Sequence, residues 1–368
     1  MAHCPVFMVI ILADVPLHRF QEQLLARRAV FFLDGRIYFR CRGDEYAEQL
    51  ADQRPRGGTS SGDVVASLLP LTAELNDPLS DFATMLLYYS RRALTLPSDV
   101  LRALDGITRR VSKLSHCRFF QGAPTAAFDV FLIFKVNTLG GGLSRRPGFP
   151  SYSWAGWKGG LVLGSFGWTF EALNQWLEEC TWIVWYKRSP SGVLSLVWDL
   201  GANESFPVND LGYPGYRKRR PFSCPPGVVV NPARTYPTED LTNNPIPMTV
   251  YPLLQFWTLS VHFHIQLLDN ALTGVADIVS AKGTRVGTVY LDGVEETAIF
   301  ASHDTFEFIL LSRVMRDTYF KEVEDCYHVM LLEWHGPVSE RGGLGVLHIS
   351  AVVDCLPPGP TWKEIVLG

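Results

Sequence analysis

Apolar and polar positions in this chain follow two different periods. From about Phe149 onward they alternate in twos, the pattern of half-buried strands. TWIVWY, the Pro190- and Gly192-containing turn KRSPSG, and VLSLVWDL predict a hairpin. Between Trp257 and Gln266 the alternation is strict: Trp257, Leu259, Val261, Phe263 and Ile265 share one face, and Thr258, Ser260, His262, His264 and Gln266 share the other. GTVYLDGVEETAIF places Asp292-Gly293 between two alternating runs, a strong hairpin signal. FEFILLSRV, YHVMLLEW and GVLHISAVV predict three more strands, and Phe170 to Glu178 a helix among them.

Upstream the spacing is helical. Pro16 to Phe32 collects Leu17, Phe20, Leu24, Leu25 and Val30 on one side, with Arg27 and Arg28 at the cation-favouring C-terminal end. Asp34-Gly35 then predicts a turn into a strand, RIYFRCR. Ser80 to Ala93 places Phe82, Met85, Leu86 and Tyr89 at i, i+3, i+4 and i+7; Pro97 stops it, and Ser98 is positioned to cap a second helix, DVLRALDGI. Ala126 to Val136 is apolar enough to be buried as helix or strand. Val6 to Ala13 reads as one buried strand, being far short of the roughly twenty residues of a membrane span.

Ala51 to Asp63 is a polar Gly/Ser/Pro loop or linker, and Leu211 to Thr242 is Pro-rich and irregular. The expected fold class is therefore α+β, with a helical segment followed by a mainly-β C-terminal region. Three parts are expected: residues 1–50, a linker and helical segment at 51–148, and a β domain at 149–368.

Composition narrows the function classes. A net charge of −4 leaves no broad basic surface for nucleic acid. Seven dispersed cysteines without a CxxC pair read as reduced thiols in a cytosolic or nuclear protein. No cofactor motif is recognised. His262 and His264 share a strand face, but no carboxylate or cysteine stands nearby at ligand spacing, so the expectation is a solvated face and no metal. Arg217 to Arg220 reads as solvated loop charge, and Gly140 to Gly142 as a flexible turn lacking the lysine of a phosphate loop. The histidines carry no recognisable local signature, and nothing in the chain specifies a reaction.

FPSYSWAGWKGG, Phe149 to Gly160, concentrates the aromatic residues. On an ideal strand Tyr152 and Trp154 share a face, and a bulge at Gly156 would bring Trp157 round to join them. The expectation is a core plug; the alternative is a ligand-stacking platform on Trp154 and Trp157.

The same segment resembles the PSWSWAGW-type sequence found downstream of the domain in fungal heterokaryon incompatibility (HET) proteins. HRFQEQLLARRAVFF, His18 to Phe32, resembles the last block of that domain, RxWTxQExLLSRRxLxF, although His18-Arg19 replaces Trp-Thr and Pro16 replaces the first Arg. YYSRRALTLPSDVLRALDGI, GAPTAAFDVFLIF and TWIVWYKRSPSGVLSLVWD resemble the segments that follow, in order. The domain's earlier blocks have no counterpart, so the resemblance implies the C-terminal remnant of a TIR-like α/β domain at residues 1–50, with residues 1–15 arising from a truncated or misread start. It further implies a cytoplasmic protein of fungal non-self recognition, acting with protein partners, without nucleic acid or membrane, as a regulatory or interaction module in programmed cell death. Because some TIR domains hydrolyse NAD through a glutamate, it also implies an alternative in which Glu22 is catalytic; the plainer reading of Glu22 is a helix-surface carboxylate pairing with arginine.

Overall fold

The structure, a computed structural model, describes residues 28–33, 36–41, 45–47, 77–91, 94, 96–136, 143–163, 169–198, 220–232, 234–238, 246, 249–267, 274–293, 305–314 and 325–368, the first three ranges by backbone alone. The chain divides into two compact units, Met1–Leu114 and Ser115–Gly368. The stretch 115–148 is thus built into the same unit as the C-terminal strands.

In the first unit, β1 (Arg28–Leu33), β2 (Arg36–Cys41) and β3 (Glu45–Ala47) form an antiparallel meander, with Leu33 opposite Arg36 and Tyr38 opposite Ala47. The helix predicted over Pro16 to Phe32 is therefore overturned from Arg28 on, where the chain is strand; Pro16 to Arg27 lie outside the described residues. Val30, Phe31 and Phe32 favour extended backbone, and the two-residue step to Arg36 brings them alongside β2. The meander is antiparallel, unlike the parallel strands of an α/β domain.

Helix α1 (Pro78–Tyr89) forms where the spacing predicts it. Asp77 Oδ1 accepts from the Ser80 amide at 3.2 Å, Pro78 sits in the first turn, and Phe82, Met85, Leu86 and Tyr89 are buried. The second helix departs from expectation. Pro97–Asp99 and Arg102–Leu104 are 3-10 turns, and the α-helix, α2, runs Asp105–Ser115. Ser98 lies inside the first turn and caps nothing; instead the Tyr89 hydroxyl donates to the Val100 carbonyl at 2.8 Å, fixing the connection.

The second unit is dominated by a nine-stranded sheet. Its main strands are β12 (Leu253–Leu267), β13 (Val275–Val279), β14 (Arg285–Leu291), β15 (Phe306–Arg313), β16 (Cys326–His335) and β17 (Val338–His348). Their antiparallel pairings run β12–β13–β14–β17–β16–β15 and then return to β12, where Ser260 faces Ile309. That ring is a closed barrel, which abolishes free sheet edges.

The interior is filled. Leu259, Val261 and Phe263 from β12 meet Ala276, Ile278, Val289, Leu291, Phe308, Leu310, Tyr327, Val329, Leu331 and Leu347, and Ala351 and Val352 of a 3-10 turn pack against them. These residues recur at every second position, as alternation demands. In β17 the matching inward positions are Gly343 and Gly345, opposite Leu331 and Val329. A Cβ on Gly345 would stand 2.5 Å from the Thr288 carbonyl oxygen, so glycine permits the close approach of β14.

The other strands dress this barrel, the shortest being β4 (Phe119–Phe120) paired with β5 (Ala123–Pro124) and β7 (Ser144–Arg145) paired with β8 (Trp157–Lys158). Strand β18 (Thr361–Leu367) pairs with β12 over Leu254–Ser260 and touches β17 at Ser339. The predicted hairpin appears in shortened and shifted form as β10 (Tyr186–Arg188) and β11 (Leu194–Leu196), added to the start of β12: Lys187 and Arg188, expected in the turn, are paired, and Ile183 to Trp185 are not strand. Helix α3 (Phe128–Leu132) is buried and leads into β6 (Phe134–Val136), which pairs with β9 (Leu161–Leu163); α4 spans Phe170–Cys180. Asp292-Gly293 does not turn a hairpin onto β14, because β13 and β17 occupy both of its edges. The polar face of β12 is also less wet than expected: Thr258 and Ser260 are buried, and exposure begins only toward Gln266. No helix among the described residues is long and apolar enough to cross a membrane.

Candidate functional site

The aromatic segment forms no strand with a bulge. Ser153 Oγ accepts from the Ala155 amide and opens a 3-10 turn, Trp154–Gly156, before the two-residue strand Trp157–Lys158. A Cβ at Gly156 would run into the Pro150 carbonyl. Trp154 is 2% exposed and Trp157 3%; Trp154 Nε1 donates to the Gly122 carbonyl at 2.8 Å and Trp157 Nε1 to the Ser151 carbonyl at 2.7 Å. Tyr152 donates to the Pro252 carbonyl at 2.7 Å. Arg145 lies 5.1 Å over the Trp157 ring. With both N–H groups used and both rings enclosed, neither indole offers a face for a ligand to stack on. Glu22 lies outside the described residues.

The built polar feature is elsewhere, on the outer wall of the barrel. Glu307 points outward from β15 because Phe306 and Phe308 take the inward positions. Its Oε1 accepts from Ser260 Oγ at 2.6 Å and Lys363 Nζ at 2.8 Å, and its Oε2 from Trp334 Nε1 at 2.7 Å. The Lys363 ammonium also lies 4.3 Å over the Trp334 ring. Ser260, Trp334 and Lys363 come from β12, β16 and β18, so the cluster exists only once the ring has closed and β18 has docked.

Burial alone would raise the Glu307 pKa, but the hydrogen bonds from Lys363, Ser260 and Trp334 outweigh it and hold the carboxyl below its ordinary range. Glu307 is a fixed anion with its lone pairs occupied rather than a free base. His262, whose Nε2 stands 3.9 Å from Glu307, is pushed down by burial, partly offset by that carboxylate, and carries a neutral imidazole at neutral pH. His264 stands two residues on along the same strand. Among the described residues no group of three or more histidine, cysteine, aspartate or glutamate side chains is placed to hold a metal ion.

Beside this cluster opens a cleft of about 440 Å³, lined by Ile246, Trp334, Pro337, Val366, Glu307 and Glu364 among others. Glu364 is itself anchored, accepting from the Thr238 amide and hydroxyl at 2.6 and 2.7 Å and from Gln255 at 2.8 Å. Arg188 extends the network, donating to Gln255 at 2.7 Å and to the Thr238 carbonyl at 3.0 Å. The result is an apolar trough with rigid charged walls and a half-exposed indole. Such a surface suits a peptide segment with an apolar or aromatic anchor.

Sequence reasoning missed Glu307, Trp334 and Lys363. The available signal was a glutamate inside an otherwise apolar run, FEFILL, and a lysine-glutamate pair inside TWKEIVL. Comparison with models of known families, with characterised proteins and with solved structures finds no match for this chain.

Proposed function

We propose that this protein is an interaction module of fungal non-self recognition, acting in the cytoplasm with protein partners in the control of programmed cell death. The motif resemblance, in order from His18 to the C-terminal strands, supports the biological setting; the antiparallel meander at residues 28–47 does not support a TIR-like remnant. The observation that carries the biochemical half is the Trp334 cleft. Because the barrel interior is packed with side chains, recognition falls to the outer wall, and there Glu307 and Lys363 hold an exposed indole beside an apolar trough. Recognition hot spots are enriched in such tryptophans, and a preorganised ring loses little entropy on binding.

The test is a fusion assay in a filamentous fungus, scoring death of fused cells when one partner expresses the chain. Unaltered protein is expected to change the frequency of death relative to chain-free fusions, and Trp334→Ala at equal abundance to lose that change. A chain with no effect in compatible and incompatible pairings alike rejects the biological setting. A Trp334→Ala variant as active as the parent rejects the cleft.

A further inference from the structure

The residues lining the Trp334 cleft show where it runs. Successive side chains of a strand point to opposite faces, so Lys363, paired with Thr258, and Glu364, paired with Trp257, lie on opposite sides of the sheet. Both line the cleft, together with Val366 and the Gly336-Pro337 turn between β16 and β17. A cleft that touches both faces of β18 follows the edge of the strand.

That edge is open. Strand β12 pairs with β18 along one side, from Ser260 to Leu254, and β17 meets the other side only at Leu367, opposite Ser339. The bonds at this meeting point fix which backbone groups face the cleft. The Gly368 amide donates to the Ser339 carbonyl at 2.8 Å, and the Val366 carbonyl accepts from Ser339 Oγ at 3.0 Å. Gly368 and Val366 therefore direct their backbone groups away from β12, and by the two-residue period so do Glu364 and Trp362. Lys363 and Ile365 direct theirs toward β12. Among the described residues, no hydrogen bond reaches the amides of Trp362, Glu364 and Val366 or the carbonyls of Trp362 and Glu364.

Charge narrows the partner. Glu307 is matched by Lys363, whereas Glu364 is held by the uncharged Thr238 and Gln255 and forms no ion pair among the described residues. Arg188 reaches Gln255 and the Thr238 carbonyl rather than this carboxylate. We infer, resting on the peptide-site reading above, that β18 receives an extended segment of a partner protein. The segment adds as a strand along Trp362–Val366 and sets a lysine or arginine against Glu364.

The test uses the full chain and a fluorescein-labelled octapeptide of alternating valine and threonine with one central lysine, titrated by fluorescence polarisation. Two further forms carry N-methyl groups on every second peptide nitrogen, one form for each edge of the peptide, and a last form carries glutamate for lysine. Saturable binding of the lysine peptide is expected, weakened about tenfold or more in one N-methylated form, unchanged in the other, and weakened about tenfold by glutamate. In hydrogen exchange the lysine peptide is expected to slow the amides of Trp362, Glu364 and Val366 and to leave Lys363 and Ile365 unchanged. Glu364→Ala is expected to bind the lysine and glutamate peptides alike while still rejecting the same N-methylated form.

Failure of every peptide to bind, equal binding of both N-methylated forms, or no slowing of the three amides overturns strand addition. If Trp334→Ala still loses its effect in the fusion assay, the cleft then stands without it. Preference for the glutamate peptide overturns the assigned charge. Slow exchange of the three amides without peptide, in a chain that sediments as a dimer, gives the edge to a second copy and overturns the peptide.

Discussion

Replacing Arg341 by methionine is the sharpest perturbation of the barrel. Arg341 and Asp292 are both 0% exposed. The guanidinium donates to Asp292 Oδ2 at 2.6 Å and Oδ1 at 3.1 Å, to the Leu132 carbonyl at 2.8 Å, and to the Phe134 carbonyl, while stacking 3.6 Å over the Phe134 ring. One side chain thus ties β17 to the end of β14 and to the α3–β6 segment. Methionine fills similar volume but leaves a buried carboxyl and two carbonyls without their donor. Breaking a buried pair from one side costs about 3–5 kcal/mol, and each orphaned carbonyl about 1 kcal/mol more, less whatever Asp292 recovers by protonation. A loss of about 5 kcal/mol is expected, a large part of a typical domain's stability.

Urea unfolding followed by tryptophan fluorescence reads it, since Trp154, Trp157, Trp176 and Trp185 are buried in this same unit. The double variant Arg341→Met/Asp292→Leu removes the stranded charge and is expected to recover about 3 kcal/mol relative to the single variant. Burial pushes the Asp292 carboxyl up while Arg341 pulls it back. Without Arg341 the folded pKa rises further above the unfolded value near 3.9, so the single variant gains stability as pH falls through that window. A single variant losing less than about 2 kcal/mol, or a double variant no better than the single, refutes this reasoning.

Asp81 is pushed up to about 6, first by burial and then by the neighbouring Asp77 charge. Its folded state therefore binds protons more tightly than the unfolded state, and the penalty appears as pH rises from about 4 to 6; Asp81→Asn is expected to stabilise by about 1 kcal/mol at pH 7, after discounting for solvent screening, and by nothing at pH 3.5. A gain that is equal at both pH values contradicts that sign. Gly345→Ala should cost about 2–3 kcal/mol in urea melts, because the new Cβ meets the Thr288 carbonyl at 2.5 Å and only a shift of backbone relieves it. A cost under about 0.5 kcal/mol means that β14 and β17 are not held so close.

The strands β15 and β16 were legible because their apolar runs are long and end in polar residues; of β17 only Gly345–His348 was, since Glu340, Arg341 and the glycines break its pattern, and the predicted continuation Ile349–Val353 is a 3-10 turn. In β12 the alternation was legible but its meaning was not: the polar positions Thr258 and Ser260 lie under cover of the strands flanking them, and Ser260 serves Glu307. Strand β18 escaped notice because Lys363 and Glu364 interrupt its pattern, although both turn out to be paired. Asp292-Gly293 carried a genuine local hairpin preference that tertiary structure overrode, since Arg341 captures the aspartate. Ring closure between β12 and β15 joins segments far apart in sequence and leaves no local signal. A site assembled from β12, β15, β16 and β18 was invisible for the same reason. The burial of the tryptophans at 154 and 157 was readable from their crowding, while the 3-10 turn that achieves it depends on Ser153 and on the tight contact at Gly156.

Closure of the barrel seam is what assembles Glu307, Trp334 and Lys363 on the outer wall, and native-state hydrogen exchange tests it most directly. Amides of Ser260–Phe263 and Phe306–Ile309 are paired across that seam. They are predicted to exchange together with those of β16 and β17, only through global unfolding of the unit, and to share its sensitivity to urea. Exchange of the β12 or β15 seam amides at rates typical of an open sheet edge, with β16 and β17 still protected, would contradict a closed and filled barrel.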